Sequence, residues 1–218
     1  MRHLNAPEVL QNLVASVIAS RVTQLTLALG TMNRAQKCNI PRVAGTSENN
    51  FLVHFALFDF FAAARDEKLE DGAVRILMLS DISKAFDRVQ LTVLLHALRT
   101  LFEGHDITRL IAAIQSLYEQ ARIAVSRKDV AVLIEKLGGI HQGDPASAIL
   151  FSLVMEFVRR LIPPMRRYKI RFYTYQDVLL VRLEIDYADD QIRFTDSVAD
   201  MQDTVITLKT ALGTVGLK

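Results

Sequence analysis

The stretch Ile76 to Val89, ILMLSDISKAFDRV, constrains this chain more than any other. Four consecutive apolar residues, Ile76-Leu77-Met78-Leu79, read as a buried strand, and the strand delivers a carboxylate, Asp81, at its end. A strand that leaves the core through an acidic turn gains little stability from that turn, but it is well suited to hold a metal ion. Two later stretches answer it: GGIHQGDPASAILF from Gly138 to Phe151, and IDYADDQIRF from Ile185 to Phe194. Asp81 and the pair Asp189-Asp190 fall on different predicted strands. They can act together only if those strands are neighbours.

The elements around these stretches predict an α+β fold with helices on a mainly antiparallel sheet. Apolar residues at 10, 13, 14, 17, 18, 22 and 25 predict a helix over Val9 to Leu29, stopped by Gly30. A second helix begins near Ser47, with Phe51, Phe55, Phe58 and Ala62 as its core face and His54 packed beside them. Leu91 to Leu98 and Ile107 to Leu117 predict a helix pair, with Asp106 capping the second. Ala121 to Ser126 and Val130 to Leu137 predict a strand pair. Pro145 is placed to start a helix that Pro163-Pro164 stops. Lys169 to Tyr175 and Val178 to Tyr187 read as a hairpin, followed by a short strand over Gln191 to Thr195. Ser197 and Asp200 carry a capping signature for a last helix, with Met201, Val205, Leu208 and Leu212 buried and Gly213 at its end.

Composition narrows the classes. The chain has 218 residues, half of them hydrophobic, so a real core is within reach. A single cysteine, Cys38, excludes an internal disulfide and a cysteine-rich zinc site. That usage fits a reducing intracellular compartment; nucleus and cytoplasm are the expected location. The longest apolar run, Phe51 to Ala64, is too short to span a bilayer and is broken by His54 and Asp59, so no membrane partner is expected. The net charge of +2 neither requires nor excludes nucleic acid.

The carboxylates define the chemistry. Two hard cations about 3.5–4 Å apart can clamp the attacking and leaving oxygens of a phosphoryl transfer. Magnesium prefers oxygen ligands and keeps water, so a few carboxylates plus substrate phosphates suffice. Asp81 and Asp189 are the expected bridging ligands, Asp190 a supporting one, and the backbone carbonyl of Ile82 completes the shell. Two Mg2+ ions, with Mn2+ as the alternative, are the expected cofactors.

Taken together, these motifs resemble reverse transcriptases, and among them the non-LTR (LINE-type) retrotransposon enzymes. DISKAFDRV resembles the family's first metal motif, GIHQGDPASAILF its QGxPxSPxLF motif, and YADD its second metal motif. Arg2-His3-Leu4 is similar to a fingers opening. Gln36 and Gly45 to Asn49 resemble the fingers loop of the elements that insert site-specifically into ribosomal DNA. The resemblance covers nearly the whole chain. It implies a right-hand polymerase with fingers over 1–74 and palm over 75–218. A fingers-associated helix and hairpin segment lies at about 100–140, and the thumb is absent.

The resemblance further implies roles. Asp81, Asp189 and Asp190 are the catalytic metal ligands. Phe86 crowds a ribose 2′-hydroxyl, Gln142 and Gly143 contact the incoming nucleotide, and Arg2 meets its triphosphate. The implied partners are an RNA template, a DNA primer and dNTPs, together with the thumb and endonuclease regions of a longer polyprotein. The implied activity is RNA-directed DNA synthesis by two-metal nucleotidyl transfer. The alternative is an inactive retrotransposon-derived fragment that keeps the fold and some nucleic-acid affinity. The sequence departs from the family pattern at Asp186, Gln191, Arg193 and Ala148. An unpaired carboxylate buried at Asp186 would be costly.

Overall fold

The computed structural model describes residues 6–33, 36, 38, 46–66, 76–119, 122–127, 130–135, 139–140, 143–162, 169–173, 178–182, 184–195 and 197–218. The elements run α1 (Ala6–Ala28), α2 (Thr46–Asp66), β1 (Ile76–Ser80), α3 (Ala85–Arg88), α4 (Leu91–Leu101), α5 (Thr108–Glu119), β2 (Arg122–Arg127) and β3 (Val130–Glu135). They continue with α6 (Ser147–Leu161), β4 (Lys169–Tyr173), β5 (Val178–Arg182), β6 (Glu184–Tyr187), β7 (Asp190–Thr195) and α7 (Val198–Thr214). This is the expected α+β arrangement of helices with small antiparallel sheets. No helix of the described residues is long and apolar enough to cross a membrane.

The chain divides into two compact units, each assembled from segments distant in sequence. The first comprises 1–32, 84–157 and 215–217. Its core is apolar, with Leu94, Leu98, Phe102 and Ile114 from α4, α5 and their link, and Leu150, Phe151, Leu153 and Val154 from α6. Gln90 ends the extended segment before α4, and Asp106 holds the first turn of α5 through a 3.1 Å bond from Thr108 N to its Oδ1. That contact is the expected cap. It also holds the Asp106 carboxyl below its ordinary range.

The second unit comprises 33–83, 158–214 and 218. Its centre is a three-stranded sheet in the order β1-β7-β6, antiparallel throughout. Side chains alternate across a sheet, so the register fixes two faces. One face carries Leu77, Phe194, Ile192 and Ile185, and α2 packs there through Leu52, Val53 and Ala56. The other carries Met78, Ser80, Thr195, Arg193, Gln191 and Asp186. The last four of these are polar and buried.

Several expectations are corrected. The predicted strand over Val178 to Tyr187 is two strands: β5 pairs with β4, while β6 pairs with β7. α6 begins at Ser147 rather than Pro145, because Asp144 and Pro145 form the turn ahead of it. On α1 the stripe rotates: Leu10, Leu13, Val14 and Val17 are exposed, while Ala15, Ile18, Val22 and Thr26 are buried. On α2, Phe51 and Phe58 are exposed and His54 faces solvent, its Nδ1 3.1 Å from the Asn50 carbonyl. On α7, Val205 is exposed and Thr204 and Ala211 are buried instead. α7 passes through Gly213 to Thr214, and Gly216 takes the left-handed backbone beyond its end. The cap of α7 is as expected, with Asp200 N donating to Ser197 Oγ at 3.1 Å. Pro163-Pro164 lies outside the described residues.

Candidate active site

The second unit brings the two acidic motifs together. β1 pairs with β7 so that Ser80 faces Gln191, which sets Asp81, the next residue, beside Asp190 at the start of β7. β6 and β7 form a hairpin whose last pair is Tyr187 with Asp190, leaving Ala188 and Asp189 as the two-residue tip. Two-residue hairpins favour turns with a positive φ, and Ala188 sits at φ 53. A non-glycine residue there is strained. Asp189 is half-buried, Asp81 and Asp190 exposed. Burial pushes the Asp189 carboxyl above its ordinary range, and the charges of Asp190 and Asp81 push it further. Its own backbone N–H partly offsets the rise. Asp189 therefore lies within electrostatic reach of both other carboxylates.

Such a set fits a hard divalent cation, which would replace mutual repulsion by attraction. Among the described residues no group of three His, Cys, Asp or Glu side chains forms a ready metal cage. Magnesium takes one or two carboxylates and completes its shell with water and substrate phosphate. The Ile82 side chain is buried, so any contribution from this residue comes from its backbone.

Beside the carboxylates is a cavity of about 530 Å³, lined by Asn49, Val53, Leu79, Asp81, Tyr187 and Asp190 among others. Leu79 is 70% exposed, unusual for a strand residue between Met78 and Ser80. Asn49 is buried. Its Nδ2 donates to the Asp186 carbonyl at 3.4 Å, and its Oδ1 accepts no hydrogen bond from the described residues.

The polar face of the sheet resolves the departures at Asp186 and Arg193. Arg193 Nη1 donates to Asp186 Oδ1 at 2.6 Å, to the Ile192 carbonyl at 2.9 Å and to the Ile185 carbonyl at 3.5 Å. The expected cost of an unpaired carboxylate at Asp186 does not arise, because the second unusual residue neutralises the first. Gln191 contributes an acceptor to Ser80 Oγ at 3.5 Å, at the outer limit of a hydrogen bond.

The other candidate residues belong to the first unit. Phe86 stacks on Phe151 with ring centroids 4.7 Å apart. Ile140 N donates to the Phe86 carbonyl at 2.8 Å, and Gly139 N to the Val89 carbonyl at 3.1 Å, so two motifs distant in sequence are joined through their backbones. Gly139 has φ +84, and a Cβ there would lie 2.7 Å from the Asp87 carbonyl oxygen. Only glycine permits that approach. Gly143 also has a positive φ, 92, and opens the turn into α6. There Asp144 Oδ1 accepts from Ala146 N at 2.8 Å and Asp144 Oδ2 from the Tyr118 hydroxyl at 3.1 Å. Burial is the main reason the Tyr118 hydroxyl is held well above its usual range, and Asp144 adds to it. Gln142 and Arg2 lie outside the described residues. Gln36, which the sequence marked only as part of a loop resemblance, reaches the hairpin tip, its Oε1 accepting from Ala188 N at 3.0 Å.

Comparison with known proteins defines the class. The family model described as "Reverse transcriptase (RNA-dependent DNA polymerase)" matches residues 1–218, and the chain belongs to that family. Among solved structures it is similar to apo telomerase from Candida tropicalis, with a TM-score of 0.60 and 13% identity over 95% of this chain and 35% of that one. It is also similar to telomerase from Candida albicans in complex with a fragment of telomeric RNA, with a TM-score of 0.56 and 14% identity over 93% and 32%. The chain spans about a third of the length of these telomerases, and at this identity the likeness shows the fold. No curated protein sequence matches.

Proposed function

We propose that this chain is the fingers and palm region of a non-LTR retrotransposon reverse transcriptase, extending a DNA primer on an RNA template. The observation that carries the reading is the β1–β7 register, which puts Asp81 beside the Asp189-Asp190 tip. The raised Asp189 carboxyl supports it: burial is the main cause, and the charges of Asp190 and Asp81, which a divalent cation would relieve, add to it. Asp81, Asp189 and Asp190 hold Mg2+, with the Ile82 carbonyl as a further donor. When bound, the metal stabilises the charge of the transferring phosphate and lowers the pKa of the attacking hydroxyl.

The chain's own residues supply position and exclusion. Phe86, pinned by Phe151 and by the Ile140 backbone bond, presents a fixed ring suited to exclude a ribose 2′-oxygen. Gly143 allows close backbone approach by the nucleotide. Gln142 and Arg2 take the nucleotide and triphosphate roles that the family resemblance gives them. The reading as an inert relic loses one of its supports, because the unusual Asp186 and Arg193 satisfy each other.

The test is primer extension on an RNA template with the purified protein, with and without Mg2+. Metal-dependent extension by the parent and none by Asp81→Asn or Asp189→Asn is expected. Synthesis retained in Asp189→Asn would refute the metal assignment.

A further inference from the structure

Gln36 lies 152 residues from Ala188 in sequence and engages it with both ends of its side-chain amide. Its Oε1 accepts from Ala188 N at 3.0 Å and from Cys38 N at 3.0 Å. Its Nε2 donates to the Ala188 carbonyl at 3.4 Å. Gln36 also forms an isolated parallel bridge with Asp186. The side chain is 4% exposed, so these bonds form away from competing water. β6 is the edge strand of its sheet, and its outer side is where Gln36 and Asn49 attach.

Ala188 is the residue that most needs such support. Its φ of 53 is disfavoured for any residue with a Cβ, and strain of this kind persists only where the surroundings over-determine it. The hairpin ladder ends at Tyr187 and Asp190, so Ala188 lies beyond its last pair. An amide side chain offering one acceptor and one donor replaces the missing strand partner. The next residue is Asp189, whose carboxylate is already under repulsion from Asp190 and Asp81. A tip free to relax would carry that carboxylate away from its neighbours.

We infer that Gln36 is a positioning residue that locks the strained Ala188 peptide and thereby aims the Asp189 carboxylate for the divalent metal. The inference rests on the metal-binding reading of the aspartates. Groups that orient a metal ligand typically change metal affinity or activity by about 10- to 100-fold when removed.

The experiment uses Mn2+ binding, followed by electron paramagnetic resonance, and primer extension on the same protein preparations. Gln36→Met keeps the side-chain volume and removes both amide contacts. It is expected to weaken Mn2+ binding and lower kcat by about tenfold, with the dNTP KM unchanged. Ala188→Gly removes the steric objection to positive φ. In the Gln36→Met background it is expected to recover at least a third of the lost affinity. A Gln36 that is merely a loop prop would lower the melting temperature without moving Mn2+ affinity in the folded protein, and that outcome overturns the inference. If Asp189→Asn binds Mn2+ like the parent, the metal reading itself fails and the inference falls with it. If Asp189→Asn loses Mn2+ but Gln36→Met does not, only the inference fails.

Discussion

Breaking the Asp186–Arg193 pair should destabilise the three-stranded sheet of the second unit. Both side chains are about nine-tenths buried, with the charged atoms 2.6 Å apart. At an effective dielectric of about 20 the attraction across that distance is roughly 6 kcal/mol, most of it offset by the cost of removing both ions from water. The net value of the pair against apolar residues is therefore near zero, whereas removing one partner strands the other. Asp186→Leu leaves Arg193 with the Ile185 and Ile192 carbonyls as its remaining partners among the described residues and should cost about 3–5 kcal/mol. Arg193→Met strands the carboxylate and should cost about as much. For a protein of this size each corresponds to a fall of roughly 6–20 °C in Tm. The double variant Asp186→Leu/Arg193→Met should lie within about 1 kcal/mol of the parent. The assay is urea denaturation at pH 7 followed by circular dichroism, with the four proteins forming a double-mutant cycle. Single variants that cost less than about 1 kcal/mol, or a double that costs the sum of the singles, would refute the reasoning.

Three further outcomes follow from the geometry. Asp189→Asn should abolish extension yet stabilise the metal-free protein at neutral pH. A carboxyl raised by folding adds stability below its unfolded pKa and loses it as pH rises through the folded value, so the gain should vanish in acid; melting in EDTA at pH 7 and pH 3 decides this. Gly139→Ala forces a Cβ to within 2.7 Å of the Asp87 carbonyl at φ +84 and should cost about 2–5 kcal/mol, combining left-handed strain with overpacking, read as a fall in Tm. Phe86→Val removes the ring held against Phe151 and should admit ribonucleotides, measured as a fall of about tenfold or more in the ratio of kcat/KM for dNTP over rNTP.

The sheet was legible where chemistry demanded a particular neighbour. Carboxylates at Asp81 and Asp189-Asp190 can serve one cation only if their strands are adjacent, and β1 pairs with β7. Helix existence was also legible, because apolar runs end at recognisable stops such as Gly30 and caps such as Asp106 and Ser197. Helix orientation was not. α1 and α2 carry apolar residues around most of their circumference, so periodicity does not select which face is buried. The division of Val178 to Tyr187 into β5 and β6 left no Gly or Pro to announce it. Gln36 could not be assigned from sequence because its partner is 152 residues away, and nothing local distinguishes a clamping glutamine from a solvated one.

The polar residues that made the sequence look damaged are the ones that hold the site. A sheet covered on one face by α2 and buried on the other would ordinarily fill both faces with aliphatic side chains. Here directional contacts replace them: Arg193 on Asp186 on the second face, and Gln36 on Ala188 and Asn49 on the Asp186 carbonyl along the β6 edge. Aliphatic packing tolerates small shifts of a hairpin tip, whereas hydrogen bonds, charge-assisted from Arg193 and neutral from Gln36 and Asn49, constrain distance and angle. The tip bears a strained alanine and a carboxylate crowded by two others, so packing alone would let it relax. Activity should therefore follow the integrity of these contacts more closely than it follows global stability. Asp186→Leu/Arg193→Met tests that distinction in one protein: it should match the parent in urea and fall below it in primer extension.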